Sequence, residues 1–336
     1  MSRVAITGAS GLLGGNLAAE LIAAGHQVVA TRRAGTQVSH LADLAIEWVD
    51  AELGSIAALT RAFTGCACVF HCAAAVTIKK QVTPEMTAAN VTGTANVIAA
   101  VIAANDSGPS PEIGPRLVHV SSVVAIGLST NGTPCDETAV WNFDVLGLDD
   151  AYAITKHQAE ELVHAARDKI DAVIVNPTYM FGPRDAKPSS GGLLRKVVQR
   201  RMPGYTTGYN NFVDVRDVAR GMIAAWHKGR RGERYILGGH DMTYRECFER
   251  IAKVAGVAPP RFGIPQPIVR LLGKWGDFIE RRGKEPLLNS MQADYAFTDT
   301  FRFKSSKAAD ELGYTVSPLE PAIRDTIAWF RANQML

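Results

Sequence analysis

The opening of the chain constrains its fold more than any other stretch. Val4-Ala5-Ile6-Thr7 is a short apolar, partly β-branched run, the pattern of a buried strand in a parallel sheet. Gly8-Ala9-Ser10-Gly11-Leu12-Leu13-Gly14-Gly15 follows, and residues 16–24 are then rich in helix formers and stop at Gly25. In the order strand, glycine loop, helix, backbone N–H groups and the helix N-terminus can receive a pyrophosphate. The spacing is Gly-x-x-Gly-x-x-Gly rather than Gly-x-Gly-x-x-Gly, and tight turns need glycine for conformational reasons alone. The strand–helix context is what makes this loop a dinucleotide signal. Gly8, Ser10, Gly11, Leu12, Leu13 and Gly14 are the candidate contacts.

The second strand bears on which dinucleotide. Gln27-Val28-Val29-Ala30-Thr31 reads as strand, and an NAD site would usually place Asp or Glu at its end to hold the ribose 2′-hydroxyl. Arg32-Arg33 stands there instead. Two guanidiniums match a 2′-phosphate in charge and bidentate geometry. A solvated basic turn is the bland alternative; the position relative to the glycine loop favours the phosphate, and hence NADP(H).

Two further signals follow in order. Arg116-Leu117-Val118-His119-Val120-Ser121-Ser122 reads as a strand delivering two hydroxyls at its C-terminal end, where ligands bind in open parallel sheets. Such serines often only cap the next turn. Tyr152 and Lys156 lie four apart in a helical run and therefore share one helix face. A free phenol, with a pKa near ~10, is a poor acid or base at neutral pH, and a nearby ammonium moves it toward the working range. Alone, a Tyr-x-x-x-Lys is common on helices; following a glycine loop and a strand-end serine, it points to carbonyl–alcohol chemistry.

These segments resemble an extended short-chain dehydrogenase/reductase of the NAD-dependent epimerase/dehydratase superfamily. The resemblance rests on Thr7 to Gly14, Val69-Phe70-His71-Cys72-Ala73-Ala74, Asn90-Val91-Thr92-Gly93-Thr94, Ser121-Ser122, Tyr152 to Lys156 and Asn176-Pro177-Thr178. It continues through Asn211 to Val218 and Glu311-Leu312-Gly313-Tyr314, and is greatest with the dihydroflavonol-4-reductase-like branch. It implies Ser122 as the catalytic serine, Tyr152 as proton donor and Lys156 as the residue that binds the nicotinamide ribose and lowers the tyrosine pKa. It places Cys72, Ala73 and Ala74 along the cofactor, Pro177 and Thr178 beside the carboxamide, and Asn90 as a brace. After the third strand, Ile46-Glu47-Trp48-Val49, the family often shows Gly-Asp-Leu at the adenine; Ala51-Glu52-Leu53 here keeps an acceptor one methylene longer.

Alternating strand and helix patterns through about Val175 predict an α/β, doubly wound Rossmann-type sheet with helices on both faces. Residues 1–177 are expected to form the dinucleotide-binding domain, with the chain returning around 211–230 as Phe212-Val213-Asp214-Val215 rejoins the sheet. Residues 178–336 are expected to be mainly a smaller, irregular substrate-binding lobe. A loop is expected over 104–115, which carries Gly-Pro-Ser-Pro. Tyr179-Met180-Phe181, Tyr205, Tyr209 and Phe212 either offer aromatic surface to a hydrophobic carbonyl substrate or pack the lobe.

A net charge of +3 without a basic block gives no reason to expect nucleic-acid binding. No apolar run is expected to reach the ~20 residues of a membrane span, and no secretory leader is expected because the first strand begins almost at Met1; a cytoplasmic chain without a membrane partner is expected. Cys66, Cys68, Cys72, Cys135 and Cys247 lack paired zinc spacing, so no metal is expected and burial is preferred. His71 and His119 read as satisfied strand histidines. Helical patches could pair a homodimer. The reading is thus an NADP-dependent carbonyl reductase or alcohol dehydrogenase. The alternatives are a sugar epimerase with no net redox change and a catalytically idle NADP-binding scaffold; a dehydratase is disfavoured because Ser121-Ser122-Val123 replaces its Thr-Asp-Glu.

Overall fold

A computed structural model of the protein describes residues 1–106, 114–188, 190–284 and 286–336. Ten strands alternate with helices: β1 (Arg3–Thr7), β2 (Gln27–Arg32), β3 (Ile46–Asp50), β4 (Cys68–His71), β5 (Arg116–Val120), β6 (Ala172–Pro177), β7 (Tyr179–Phe181), β8 (Tyr209–Asp214), β9 (Arg234–Leu237) and β10 (His240–Thr243). Seven form one sheet in the order β3-β2-β1-β4-β5-β6-β9, parallel at every pairing. The order reverses between β1 and β4, and a crevice opens beyond the carboxyl ends of strands at such a point.

Strand alternation explains why both faces are covered. Val4, Ile6, Ala30, Phe70, Val118 and Val175 point into one core with the helices Leu12–Ala23 and Val215–Lys228. Ala5, Val69, Leu117 and Ile174, one residue out of phase, face a second core with Ile56–Phe63, Gly93–Asp106 and Ala151–Ala165. The continuous apolar runs of β1 and β4 are needed because both of their faces are dry.

Two expectations are corrected and one open alternative is decided. Phe212–Val215 does not rejoin the large sheet. β8 lies at the centre of a separate three-stranded sheet, parallel to β7 and antiparallel to β10. The chain comes back as the helix Val215–Lys228, whose Val215, Val218 and Met222 share a core with the first helix, and β9 then joins β6. An apolar run of four residues has the same pattern in either sheet, so only tertiary packing decides. Phe181 and Phe212 are wholly buried and stacked 5.6 Å apart, with Tyr179 edge-on to both, so these aromatics pack the small lobe rather than face a substrate. A helical run long and apolar enough to cross a membrane does exist, Pro84–Asn105, with a mean hydropathy of 1.4. Its Val97, Ala100, Val101 and Ala104 are core residues against the neighbouring helices, and a π-helical turn, Thr87–Thr92, interrupts it. The loop expected over 104–115 falls mostly outside the described residues; its start belongs to Gly93–Asp106.

Candidate active site

The crevice at the β1/β4 switch begins with the glycine loop. Gly8 adopts φ +75°, and a Cβ there would lie 2.6 Å from the Ala73 nitrogen, so only glycine fits. Gly11 N–H donates to the Gly8 carbonyl at 3.1 Å and closes the turn. A Cβ on Gly14 would overlap the same carbonyl oxygen, and its absence lets the helix Leu12–Ala23 sit against the loop. Gly11 caps that helix without a side-chain hydrogen bond, and its first turn carries no acid, so its N–H groups and dipole remain available to an anion. His40 meets the Ser10 carbonyl at 3.2 Å, and Arg184 grips Asp43 at 2.8 and 2.5 Å, tying the segment after β2 across the loop.

Arg32 and Arg33 are not equivalent. Arg32 Nε donates to Asp50 on the neighbouring strand β3 at 2.9 Å and its guanidinium lies 5.8 Å from the Trp48 ring. Arg33 is exposed and has no ion-pair partner among the described residues. Glu52, also exposed, and half-buried Leu53 follow β3. The Leu53 carbonyl accepts from Asn96 at 2.8 Å and its side chain fills the space above Gly93.

The end of β4 is pinned to β1. Cys72 N–H donates to the Thr7 carbonyl at 3.1 Å and Ala73 N–H to the Thr7 hydroxyl at 3.3 Å. That hydroxyl also meets His71 Nδ1 at 2.7 Å, and His71 Nε2 meets Thr94 at 3.1 Å. Asn90 accepts from Ala75 N–H at 2.7 Å and donates to the Ala75 carbonyl and the Thr155 hydroxyl, each at 2.9 Å. This ties the loop after β4 to the helix bearing Tyr152. His71 is satisfied. His119, 1% exposed and 5.4 Å from the His71 ring, has no hydrogen-bond partner for either nitrogen among the described residues, which corrects the expectation for it. Burial and the Lys156 ammonium keep both neutral, His71 being pulled down to about 3. The five cysteines are free, four of them buried and Cys72 partly so.

Ser122, Tyr152 and Lys156 converge beyond β5. Ser122 is extended at φ −161° and caps a single 3₁₀ turn, accepting from Val124 N–H at 3.4 Å. Asp150 caps the helix Ala151–Ala165 by accepting from Ala153 N–H at 2.8 Å, and Tyr295 donates to its other carboxylate oxygen at 2.6 Å. One turn on, the Lys156 ammonium is 3% exposed and donates to the Val120 carbonyl at 2.6 Å. Tyr152 keeps partial solvent access, yet its desolvated surroundings push the phenol up to about 12, against a hydrogen bond with Ser122 that pulls the other way. The expected lowering by Lys156 is therefore absent from the protein alone: desolvation dominates, and the ammonium is directed at a backbone carbonyl. Lys156 is itself pulled down to about 8 by burial, which outweighs the opposing charge of Glu160.

Sequence reading missed the layer behind this trio. Glu160, 1% exposed and one further turn along the same helix face, accepts from Asn176 at 2.8 Å and from Arg234 at 3.0 Å. Burial alone would raise its carboxyl, but His164 and Arg234 hold it below the usual carboxylate range. Asn176 also donates to the Ser122 carbonyl at 3.0 Å, so β6 fixes the serine and the acid together. The i, i+4, i+8 spacing of Tyr152, Lys156 and Glu160 was the available signal. Pro177 ends β6, and Thr178 is 7% exposed with its hydroxyl unpartnered among the described residues. A buried hydroxyl without a partner costs stability unless a ligand group meets it, and it lies where a carboxamide is expected. No cluster of three metal-ligating side chains occurs among the described residues.

Comparison with known proteins gives one consistent picture. The family model described as NAD dependent epimerase/dehydratase family matches residues 4–238. A Synechocystis sp. protein named "Putative dihydroflavonol 4-reductase" is 33% identical over 97% of this chain and 94% of its own length. Sterol demethylase protein B of Methylococcus capsulatus is 31% identical over 98% of this chain and 99% of its own. The crystal structure of a nucleoside-diphosphate-sugar epimerase from Pseudomonas aeruginosa superposes with a TM-score of 0.80 at 28% identity, covering 100% of this chain and 99% of that one.

Proposed function

Because this chain belongs to the NAD-dependent epimerase/dehydratase family, we propose that it is an NADP(H)-dependent reductase converting a ketone or aldehyde to an alcohol, reversibly. The observation that carries the reading is the convergence of Ser122, Tyr152 and Lys156 beyond β5, with β4 between that strand and the β1 that leads into the glycine loop. The residues fit the cofactor: a helix N-terminus without a side-chain cap for the pyrophosphate, and, among the described residues, Arg33 without an ion-pair partner for the 2′-phosphate and the unpartnered Thr178 hydroxyl beside Pro177 for the carboxamide. Gly8, Ser10, Leu12, Leu13, Cys72, Ala73 and Ala74 would line it, and Glu52 with Leu53 would meet the adenine. Residues 1–177 would serve mainly this binding and 178–336 mainly the substrate.

When bound, the reduced nicotinamide supplies the hydride. Ser122 donates a hydrogen bond to the substrate carbonyl oxygen and fixes its direction. Tyr152 keeps its proton at neutral pH, since its phenol sits near 12, and gives it up as negative charge gathers on that oxygen. Lys156 is mostly charged at pH 7 with a value near 8, and its ammonium favours the phenolate left behind. Asn176 holds the Ser122 backbone so that its hydroxyl stays in line.

An apolar substrate is the preferred class. Val140 and Val145 are each 83% exposed on the loop beyond Ser122, and between them Trp141 donates to the Val124 carbonyl at 3.0 Å and stacks on His157. The relatives named for dihydroflavonol and sterol chemistry point the same way. The nucleoside-diphosphate-sugar epimerase neighbour favours a second reading, reversible oxidation of a sugar hydroxyl with no net redox change. Assaying a panel of apolar ketones, aldehydes and nucleotide sugars separates them. The reductase reading predicts one NADPH consumed per alcohol formed; interconversion of sugar isomers at constant NADPH would replace it.

A further inference from the structure

The helix Gln266–Arg281 carries two apolar faces where a surface helix needs one. Val269, Gly273 and Gly276 are buried on one side, and the two glycines bring its backbone against Ser290 and Leu288. Ile268, Leu271, Leu272, Trp275 and Phe278 are 51, 69, 39, 62 and 42% exposed on the other. At 3.6 residues per turn these five fall within an arc of about 120°. Phe262, 74% exposed, stands just ahead of them. Five large apolar side chains on one unpartnered face constitute a patch rather than scattered exposure.

The charge around the patch selects its occupant. Residues 259–288 hold six cations (Arg261, Arg270, Lys274, Arg281, Arg282, Lys284) and three acids (Asp277, Glu280, Glu285), an excess of 6 − 3 = +3 that equals the net charge of the whole chain. Asp277 is held by Ser290, its hydroxyl donating at 2.5 Å, and Glu280 by Lys79 at 2.8 Å. Arg270 is taken by Asp294 at 3.2 Å. Lys274, Arg281, Arg282 and Lys284 are exposed without ion-pair partners among the described residues, and Arg282 lies 4.1 Å from the Phe278 ring centroid. A second copy would bring these cations face to face, whereas a surface both apolar and anionic complements the helix.

The patch also adjoins the proposed cleft. Lys79, which binds Glu280, accepts through its carbonyl from Ala151 N–H at 2.7 Å, immediately before Tyr152. Asn289 donates to the neighbouring Ile78 carbonyl at 2.6 Å. We propose that the helix Gln266–Arg281 seats the protein on the surface of an anionic phospholipid bilayer, apolar face down, with the loop 76–82 and the cleft mouth beside the lipid. This goes beyond the proposed reaction. It departs from the expectation of no membrane partner, which rested on spanning segments alone.

Co-sedimentation of the full chain with phosphatidylglycerol-containing vesicles, and with phosphatidylcholine vesicles alone, tests it. Binding to the anionic vesicles is expected to be at least about tenfold tighter, given ~1 kcal/mol per surface Lys or Arg. A triple variant, Leu271→Glu, Trp275→Glu and Phe278→Glu, should lose that binding while keeping its melting temperature and its NADPH affinity. Absence of wild-type binding to anionic vesicles, or equal binding by a folded variant, overturns the proposal. So does a wild-type dimer that the variant converts to a monomer, which would assign the face to a second copy.

Discussion

Cofactor selectivity is the sharpest quantitative consequence of the proposed function, because Arg32, the last residue of β2, and Arg33 beyond it are in different states. Arg33 has no ion-pair partner among the described residues, whereas Arg32 is engaged by Asp50 at 2.9 Å, with side-chain exposures of 30 and 58%. A hydrogen bond to a charged group is worth about 1.5–3 kcal/mol, and the exposed setting favours the lower half of that range. Arg33→Ala should therefore weaken NADPH by roughly ten- to thirtyfold and NADH by less than about twofold. Asp50→Asn should act the other way. It removes a carboxylate from beside the proposed 2′-phosphate site and releases Arg32 from an exposed pair worth about 0–1 kcal/mol, so NADPH should tighten by up to about fivefold. Arg32→Ala should cost less than Arg33→Ala for the same reason. Fluorescence titration of both nucleotides against the purified variants measures all three. Equal losses of NADPH and NADH in Arg33→Ala, or weaker NADPH binding in Asp50→Asn, would refute the 2′-phosphate reasoning.

Two further outcomes follow from the geometry. Lys156 titrates near 8, so its ammonium is present below that pH and lost above it, and kcat/KM should show an alkaline limb there. Glu160→Gln removes the negative charge that supports the Lys156 ammonium against its burial, and should move the limb toward acid. Because half-buried Arg234 would then lose its ion pair and keep the Glu137 and Ala139 carbonyls alone, circular dichroism must show the variant folded; a folded variant with an unmoved limb would separate Glu160 from Lys156. Gly14→Ala puts a methyl group into the Gly8 carbonyl, so the helix must leave the loop, and both NADPH affinity and melting temperature should fall. Wild-type affinity in Gly14→Ala would mean that the loop does not cradle the phosphates.

What the sequence made legible was local. β1, the glycine loop and the first helix lie within twenty-three consecutive residues, ending at Ala23, and each announces itself by its own periodicity. The Ser122 strand end and the Tyr152–Lys156 pair are likewise short-range patterns. What stayed hidden depends on partners distant in sequence. The Arg32–Asp50 pair needs the β2–β3 register, and Glu160 gains its meaning only when Asn176 and Arg234 arrive from β6 and β9. Phe212 could not be assigned to the small sheet because alternation reports burial and not which core receives it. The second apolar face of Gln266–Arg281 was invisible for the opposite reason: its apolar residues would be read as core, and the fold shows them exposed among the described residues.

Tyr152 is the proposed proton donor, beside a nicotinamide whose pyrophosphate the glycine loop would hold. Tyr152→Phe isolates it, because the change removes one hydroxyl and leaves the ring. In a single turnover with bound NADPH and a reducible carbonyl compound, the variant should keep its nucleotide affinity and show a rate lowered by about a hundredfold or more. Near-normal NADPH oxidation by Tyr152→Phe would contradict it.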